Sequence, residues 1–222
     1  MCRFLIVKSK NKINAVDLLS QFALICEKSI APDGERQKDG FGVAWKKNGK
    51  WNIQKSLSPI WEGSNILSNI PETNLLVIHA RGSGFGKDRG NIDFNEPFID
   101  GEICFVFNGI IRGVRIRRKL EGKIGSQKIF SLVKDELINN SLEAALNAVK
   151  KIILNNSQKI EGMNIGLIKD GEISVLCQYS DNKEYYSLQY HQDNNLTMVS
   201  SEAFGNYDWK QFKKGEIKTF KQ

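Results

Sequence analysis

The sequence predicts an α+β fold in which antiparallel sheets stack face to face and helices cover them. Three observations carry that expectation. Short apolar runs of strand length recur through much of the chain. Asn48-Gly49 and Asp170-Gly171 separate pairs of such runs, and these residue types accept the positive φ of tight hairpin turns. The helical patterns are grouped instead of alternating with single strands, which argues against a doubly wound parallel sheet. No repeat and no linker rich in Pro, Gly or Ser divides the chain, so residues 1–222 are expected to form a single domain.

Taken in order, Cys2 to Val7 reads as a buried strand. Val16, Leu19, Phe22, Ala23, Cys26 and Ile30 recur at helical spacing, with Pro32-Asp33-Gly34 as the stop. Phe41 to Lys46 and Trp51 to Gln54 flank the Asn48-Gly49 turn. Leu75 to Ala80 and Glu102 to Phe107 read as central strands, with a glycine-rich loop from Gly82 to Asn95 between them. Ser126 to Leu137 and Ser141 to Leu154 are helical, the second with Ser141 as its N-cap. Met163 to Lys169, Ile173 to Tyr179, Tyr185 to His191 and Leu196 to Ser200 read as strands.

Composition narrows the function. Hydrophobic residues at 41% and charged residues at 26% give a globular chain with enough apolar content for a core. No apolar run approaches the roughly twenty residues of a spanning helix. The N-terminus does not read as a secretory signal, because Arg3, Lys8 and Lys10 bracket a short apolar stretch. The cysteines Cys2, Cys26, Cys104 and Cys177 lie far apart, and His79 and His191 add no metal-ligand pattern. Reduced thiols and a cytoplasmic location are expected. The net charge of +7 favours an anionic substrate or partner without identifying one.

Cys2 is the most informative position. Cysteine is small enough for Met1 to be removed ahead of it, leaving a thiol and a free α-amine on one residue. The thiol is an intrinsic nucleophile, and an α-amine of pKa about 7.7–8.0 can serve as its base. On position alone, the favoured reading of Cys2 is a small apolar residue opening a buried strand.

Other segments weigh on that choice. Met1-Cys2-Arg3 with its apolar strand resembles the start of the class II glutamine amidotransferases, which are N-terminal-nucleophile hydrolases, and in particular their small stand-alone branch. Gly40-Phe41-Gly42-Val43-Ala44-Trp45 resembles the family's glycine-rich strand. His79-Ala80-Arg81 resembles its His-x-Arg strand end, and Phe107-Asn108-Gly109 its His-Asn-Gly turn. Ser200-Ser201-Glu202-Ala203-Phe204 resembles its Ala-Ser-Glu-Pro segment. The resemblance covers nearly the whole chain. It implies a four-layer α-β-β-α sandwich of two mainly antiparallel sheets and amide hydrolysis by Cys2, without a metal or organic cofactor.

The resemblance also implies residue roles. Asn108 and Gly109 would donate to the oxyanion of a tetrahedral intermediate, although an ordinary Asn-Gly turn reads the same way. Arg81 would hold a substrate carboxylate, although a strand-end ion pair is equally open. His79 is expected to be structural, Arg3 to form an ion pair, and Glu202 to serve structure.

Departures from the family pattern bear on the substrate. Gly84 stands where the family carries a substrate-holding threonine, with Ser83 beside it as a candidate to compensate. Gly125 stands where an aspartate binds the α-ammonium of glutamine. Phe107 and Glu96 replace histidines. The expected substrate is therefore glutamine, a γ-glutamyl compound or another small-molecule carboxamide, with one that lacks a free α-ammonium or is larger than glutamine favoured. The ammonia would pass to a separate synthetase or acceptor subunit, or the substrate would simply be hydrolysed. A catalytically altered or inactive binding protein on the same fold is the alternative.

Arg112, Arg115, Arg117, Arg118, Lys119 and Lys123 form a basic stretch, read as a solvated helix face. Lys210, Lys213, Lys214, Lys218 and Lys221 follow near the C-terminus. A nucleic-acid binder is the weakest reading, since no zinc finger or RRM signature accompanies them.

Overall fold

Apolar residues on both sides of a strand require a covering layer on each face, and β1 (Arg3–Ile13) meets that requirement. Phe4 and Ile6 enter one core cluster, while Leu5 and Val7 enter another. The computed structural model describes residues 1–83 and 86–221. After β1 come α1 (Val16–Lys28), β2 (Phe41–Lys47), β3 (Lys50–Ser56), α2 (Ser64–Leu67), β4 (Thr73–Ala80), β5 (Phe98–Asp100) and β6 (Ile103–Arg112). Then follow α3 (Gly125–Leu137), α4 (Leu142–Asn155), β7 (Lys159–Lys169), β8 (Glu172–Cys177) and α5 (Lys183–Tyr186). The chain closes with β9 (Gln189–Gln192), β10 (Leu196–Ser200), β11 (Lys210–Gln211) and β12 (Glu216–Phe220).

The strands form a seven-stranded sheet, β11-β9-β10-β1-β4-β2-β3, and a five-stranded sheet, β12-β8-β7-β6-β5. Neighbouring strands pair antiparallel throughout. Phe4, Ile6, Val77, Val106, Ile168 and Val175 fill the space between the sheets. Leu19, Phe22 and Cys26 of α1 pack on the outer face of the larger sheet against Leu5, Ile78 and Met198. Leu132, Val133, Leu146 and Val149 of α3 and α4 pack on the outer face of the smaller one. The layers therefore run α-β-β-α, as the resemblance implied. Among the described residues, no helix is long and apolar enough to cross a membrane.

The Asn48-Gly49 hairpin forms as expected, both residues having positive φ. Ser141 caps α4, its side chain accepting the N–H of Ala144. Two expectations are corrected. The strand read from Tyr185 to His191 is instead the short α5 followed by β9. Tyr185 and Tyr186 are both buried, whereas neighbours on a strand point to opposite faces. Asn182, with φ of 51°, turns the chain into that helix. The basic stretch from 113 to 124 is a loop joining β6 to α3, not a helix face.

One side chain ties the start of β1 to three other segments. Arg3 is only 3% exposed. Its guanidinium donates to Ser29 Oγ at 2.6 and 3.1 Å, to the Tyr185 carbonyl at 2.7 Å and to the Ser201 carbonyl at 3.2 Å. It also pairs with Glu202 at 3.1 Å and lies 3.8 Å from the centre of the Tyr185 ring. The ion pair expected of Arg3 is thus present. Arg3→Ala should cost about 3–5 kcal/mol in denaturant unfolding, because buried acceptors lose their donor. Arg3→Lys should recover only part of that, since an ammonium cannot reproduce the fork. Glu202, 47% exposed, should matter less: Glu202→Gln should cost no more than about 1 kcal/mol.

Candidate active site

The start of β1 and the middle of β6 belong to different sheets, yet they meet. The backbone N–H of Cys2 donates to Asn108 Oδ1 at 3.3 Å, and the Cys2 thiol lies 3.8 Å from the Gly82 carbonyl. Tyr185 Oη donates to the Cys2 carbonyl at 3.2 Å. A cavity of about 530 Å³ opens at this junction. Cys2, Arg81, Ser83, Gly109 and Gly125 all line it. Asn108 is fully buried behind the wall. Gly84 lies outside the described residues.

Asn108-Gly109 is not a turn. Both residues sit inside β6, paired with Asn164 and Met163 of β7. Glycine is required at 109 for another reason: a Cβ there would stand 2.0 Å from the Gly162 carbonyl oxygen. With its oxygen taken by Cys2, Asn108 keeps a buried Nδ2 with no partner among the described residues. Phe107 donates its N–H to Glu96 and accepts from His79, so its polar backbone faces away from β7. Strand alternation turns the N–H of Gly109 to the same side, past the end of β5, where the cavity lies. The Asn108 amide and the Gly109 N–H therefore belong to the stretch of β6 that meets Cys2.

Arg81 follows β4 and is buried. Its Nη2 donates to the Asp88 carbonyl at 2.8 Å, and its guanidinium lies 5.8 Å from the centre of the Phe94 ring. Its Nη1 is buried without a partner among the described residues. That is a held guanidinium with an unused donor at a cavity wall, which suits an acidic group. Ser83 is fixed through its N–H, which donates to Asp39 Oδ2 at 2.6 Å. Gly125 opens α3, and a Cβ there would meet nothing within 4 Å.

The thiols differ sharply. Cys26, Cys104 and Cys177 are buried, and burial pushes each thiol up, that of Cys177 to about 12. Cys2 is the partly exposed one. Met1 precedes it in a buried pocket, its Sδ 2.6 Å from Tyr186 Oη. With Met1 present, the Cys2 nitrogen is a peptide N–H and not a base.

Sequence reasoning passed over Glu96, Tyr185 and Tyr186 as parts of the site. The sequence carried no signal for the tyrosines, since a strand covered on both faces also buries two adjacent aromatic residues. Glu96 reads from the sequence only as a substituted histidine. In the structure it is buried, lines the cavity, and accepts the N–H of Phe107. Its Oε2 lies 3.6 Å from His79 Nε2, which donates to the Phe107 carbonyl at 3.2 Å. Burial pushes the Glu96 carboxyl up to about 7 and holds His79 below its ordinary value.

The sign follows directly. A carboxyl raised in the folded state stabilises the fold below its unfolded value near 4.5, and that contribution is lost as pH rises towards 7. His79 acts in the opposite sense below about 6.5, so the comparison is made with Glu96→Gln. The stability of the wild type relative to Glu96→Gln should fall between pH 5 and pH 8 by on the order of 3 kcal/mol. Denaturant unfolding across that range checks it, and a constant difference would refute it.

The comparisons with known proteins agree with this geometry at the level of fold. No protein-family model matches the chain. A Saccharomyces cerevisiae protein described as a probable glutamine amidotransferase is 31% identical over 157 residues, which span 63% of this chain and 40% of that protein. A glutamine aminotransferase class-II domain protein from Silicibacter pomeroyi superposes with a TM-score of 0.65 at 16% identity, covering 98% of this chain and 94% of that one. The glutamine phosphoribosylpyrophosphate amidotransferase of B. subtilis superposes with a TM-score of 0.68 at 12% identity, covering 97% of this chain and 46% of that one. The chain therefore has the N-terminal-nucleophile fold of the class II glutamine amidotransferases.

Proposed function

We propose that this protein is an N-terminal-nucleophile amidohydrolase of the glutamine amidotransferase type. The observation that carries the reading is the junction of Cys2 with Asn108: the side-chain amide of Asn108 accepts from the Cys2 nitrogen through its oxygen and keeps a buried, unpartnered Nδ2 among the described residues. An orphaned buried donor costs about 1–3 kcal/mol, so a ligand oxygen that accepts from it is strongly favoured.

Removal of Met1 turns the Cys2 nitrogen into an α-amine, still held by Asn108 Oδ1. The thiol attacks a carboxamide carbon, and the amine takes its proton, directly or through a water. Negative charge develops on the carbonyl oxygen and is met by Asn108 Nδ2 and the Gly109 N–H. The C–N bond breaks, the amine returns the proton to the leaving ammonia, and a thioester remains. Water then cleaves the thioester and restores the thiol. Arg81 holds an acidic end of the substrate through its free Nη1, and Ser83 lies at the same wall. The ammonia either reaches a separate synthetase subunit or is released by outright hydrolysis. Four free thiols support a reducing compartment such as the cytoplasm.

Intact mass of the purified protein should show loss of Met1, and a variant forced to retain Met1 should release no ammonia from any carboxamide or γ-glutamyl amide. Cys2→Ala should abolish both turnover and labelling by an electrophilic carboxamide, while Cys26→Ala should keep both. Asn108→Ala should lower kcat by roughly 10²–10³. Turnover that persists in Cys2→Ala would refute the mechanism.

Gly82 offers an independent check on processing. A Cβ there would stand 2.3 Å from the Met1 carbonyl oxygen, and its nearest neighbours are all Met1 atoms. Gly82→Ala should lower the Tm of the Met1-retaining chain and have a smaller effect on the processed one. An equal loss in both would place the strain elsewhere.

A further inference from the structure

The cavity beside Cys2 has two unlike halves. The inner end carries the thiol, the free N–H of Arg81 and the donors of β6. The outer arm is apolar. Ile111, Ile116, Leu120, Ile124 and Ile129 line it, each is only half-buried, and all pack against the core under α3 and α4. These side chains come from β6, from the loop 113–124 and from α3, so three segments converge to build one apolar wall. Arg118, Lys119 and Lys128 also line the cavity, giving its outer part positive charge.

Size points the same way. Pockets of roughly 300–1,000 Å³ hold drug-sized ligands. At about 530 Å³ the cavity exceeds what a free amino acid amide fills. The junction of the two halves is marked by Gly125, which leaves open space where any other residue would place a Cβ. Of the carboxylates that line the cavity, Glu96 is already engaged by the Phe107 N–H and faces His79. Asp88 accepts from Arg81 through its backbone carbonyl, which places that residue at the Arg81 end of the cavity. Beside Gly125 the lining residues are Ile124, Ser126, Lys128 and Ile129, and the nearby carboxylate is Glu96, buried and already engaged by the Phe107 N–H. A free ammonium there would meet Lys128 and an occupied carboxylate, and burying that charge without a partner of its own is costly.

We propose that the physiological substrate is an acidic carboxamide whose α-nitrogen carries an apolar acyl group, with the acyl chain lying in the outer arm. This rests on the amidohydrolase reading and specifies its substrate class. Acylation removes the positive charge and supplies apolar surface that the isoleucine-rich wall can bury. The carboxylate goes to Arg81 and the carboxamide to Cys2. The reaction is hydrolysis of that carboxamide: its C–N bond breaks, ammonia leaves, and water supplies the new carboxylate oxygen.

The test is ammonia release by the processed, full-length protein from glutamine and from Nα-acetyl-, butyryl-, hexanoyl- and octanoyl-glutamine. Each added methylene should raise kcat/KM about two- to fourfold until the arm is full, the upper figure being the factor for ~0.8 kcal/mol per buried CH₂. Ile129→Asp should flatten that dependence on chain length. Ile116→Asp, in the loop, is the companion variant in case the helical one unfolds. Gly125→Asp should shift the ratio of glutamine to hexanoyl-glutamine turnover at least tenfold towards glutamine. Efficient glutamine turnover with no gain along the acyl series would overturn this inference and leave the amidohydrolase reading intact. No ammonia from any substrate, together with no labelling of Cys2, would overturn both.

Discussion

Two hydrogen bonds join the sheets at the candidate site, and the one from Cys2 sets the position of the thiol. Cys2 immediately precedes β1 and Asn108 lies in the interior of β6, and their 3.3 Å contact holds the start of the larger sheet's central strand against the smaller sheet, while His79 of β4 donates to the Phe107 carbonyl of β6. Everything around it serves that placement. Arg3 anchors the next residue through Ser29, Tyr185, Ser201 and Glu202. The inter-sheet core, with Phe4 and Ile6 on one side and Val106 on the other, sets the separation of the sheets. Because cores are close-packed, that separation cannot drift without a packing cost. The placement of Cys2 against Asn108 is thus a property of the whole sandwich and not of a loop.

The site pairs rigidity with unsatisfied groups. Asn108 Nδ2 and Arg81 Nη1 are buried donors without partners among the described residues; Arg81 lines the cavity, and Asn108 lies next to Gly109, which also lines it. Native folds rarely leave such groups unpaired, so their presence in one place marks where a ligand supplies the missing acceptors. Glu96 belongs to the same setting in a different way: it is buried at the wall, engaged by Phe107 and facing His79, and burial pushes its carboxyl up.

Much of this was legible in the sequence because the informative signals are local. The Asn48-Gly49 hairpin, the Ser141 cap and the apolar run Phe4 to Val7 each depend on neighbouring residues, and each forms as read. The α-β-β-α layering needed the resemblance, since periodicity alone does not say which face meets which layer. What stayed hidden depends on contacts between distant segments. Asn108-Gly109 reads as a turn because the pair favours one, yet the sheet keeps it extended, with Gly109 small enough to let the Gly162 carbonyl approach. Tyr185 and Tyr186 read as strand because aromatic residues favour strands, yet tertiary packing draws both rings inward. The role of Glu96 could not be read at all, because nothing near it in sequence announces its contact with His79.

Most chain termini fray, because their last residues are held by few contacts. Here the first strand lies in the interior of the larger sheet, between β10 and β4, with apolar layers on both faces. Its amides belong to the cooperative unit that opens only when the whole molecule unfolds. The partly exposed thiol of Cys2 is thus tethered directly to a strand that is paired on both sides, and it stays against β6 for as long as that strand holds its place.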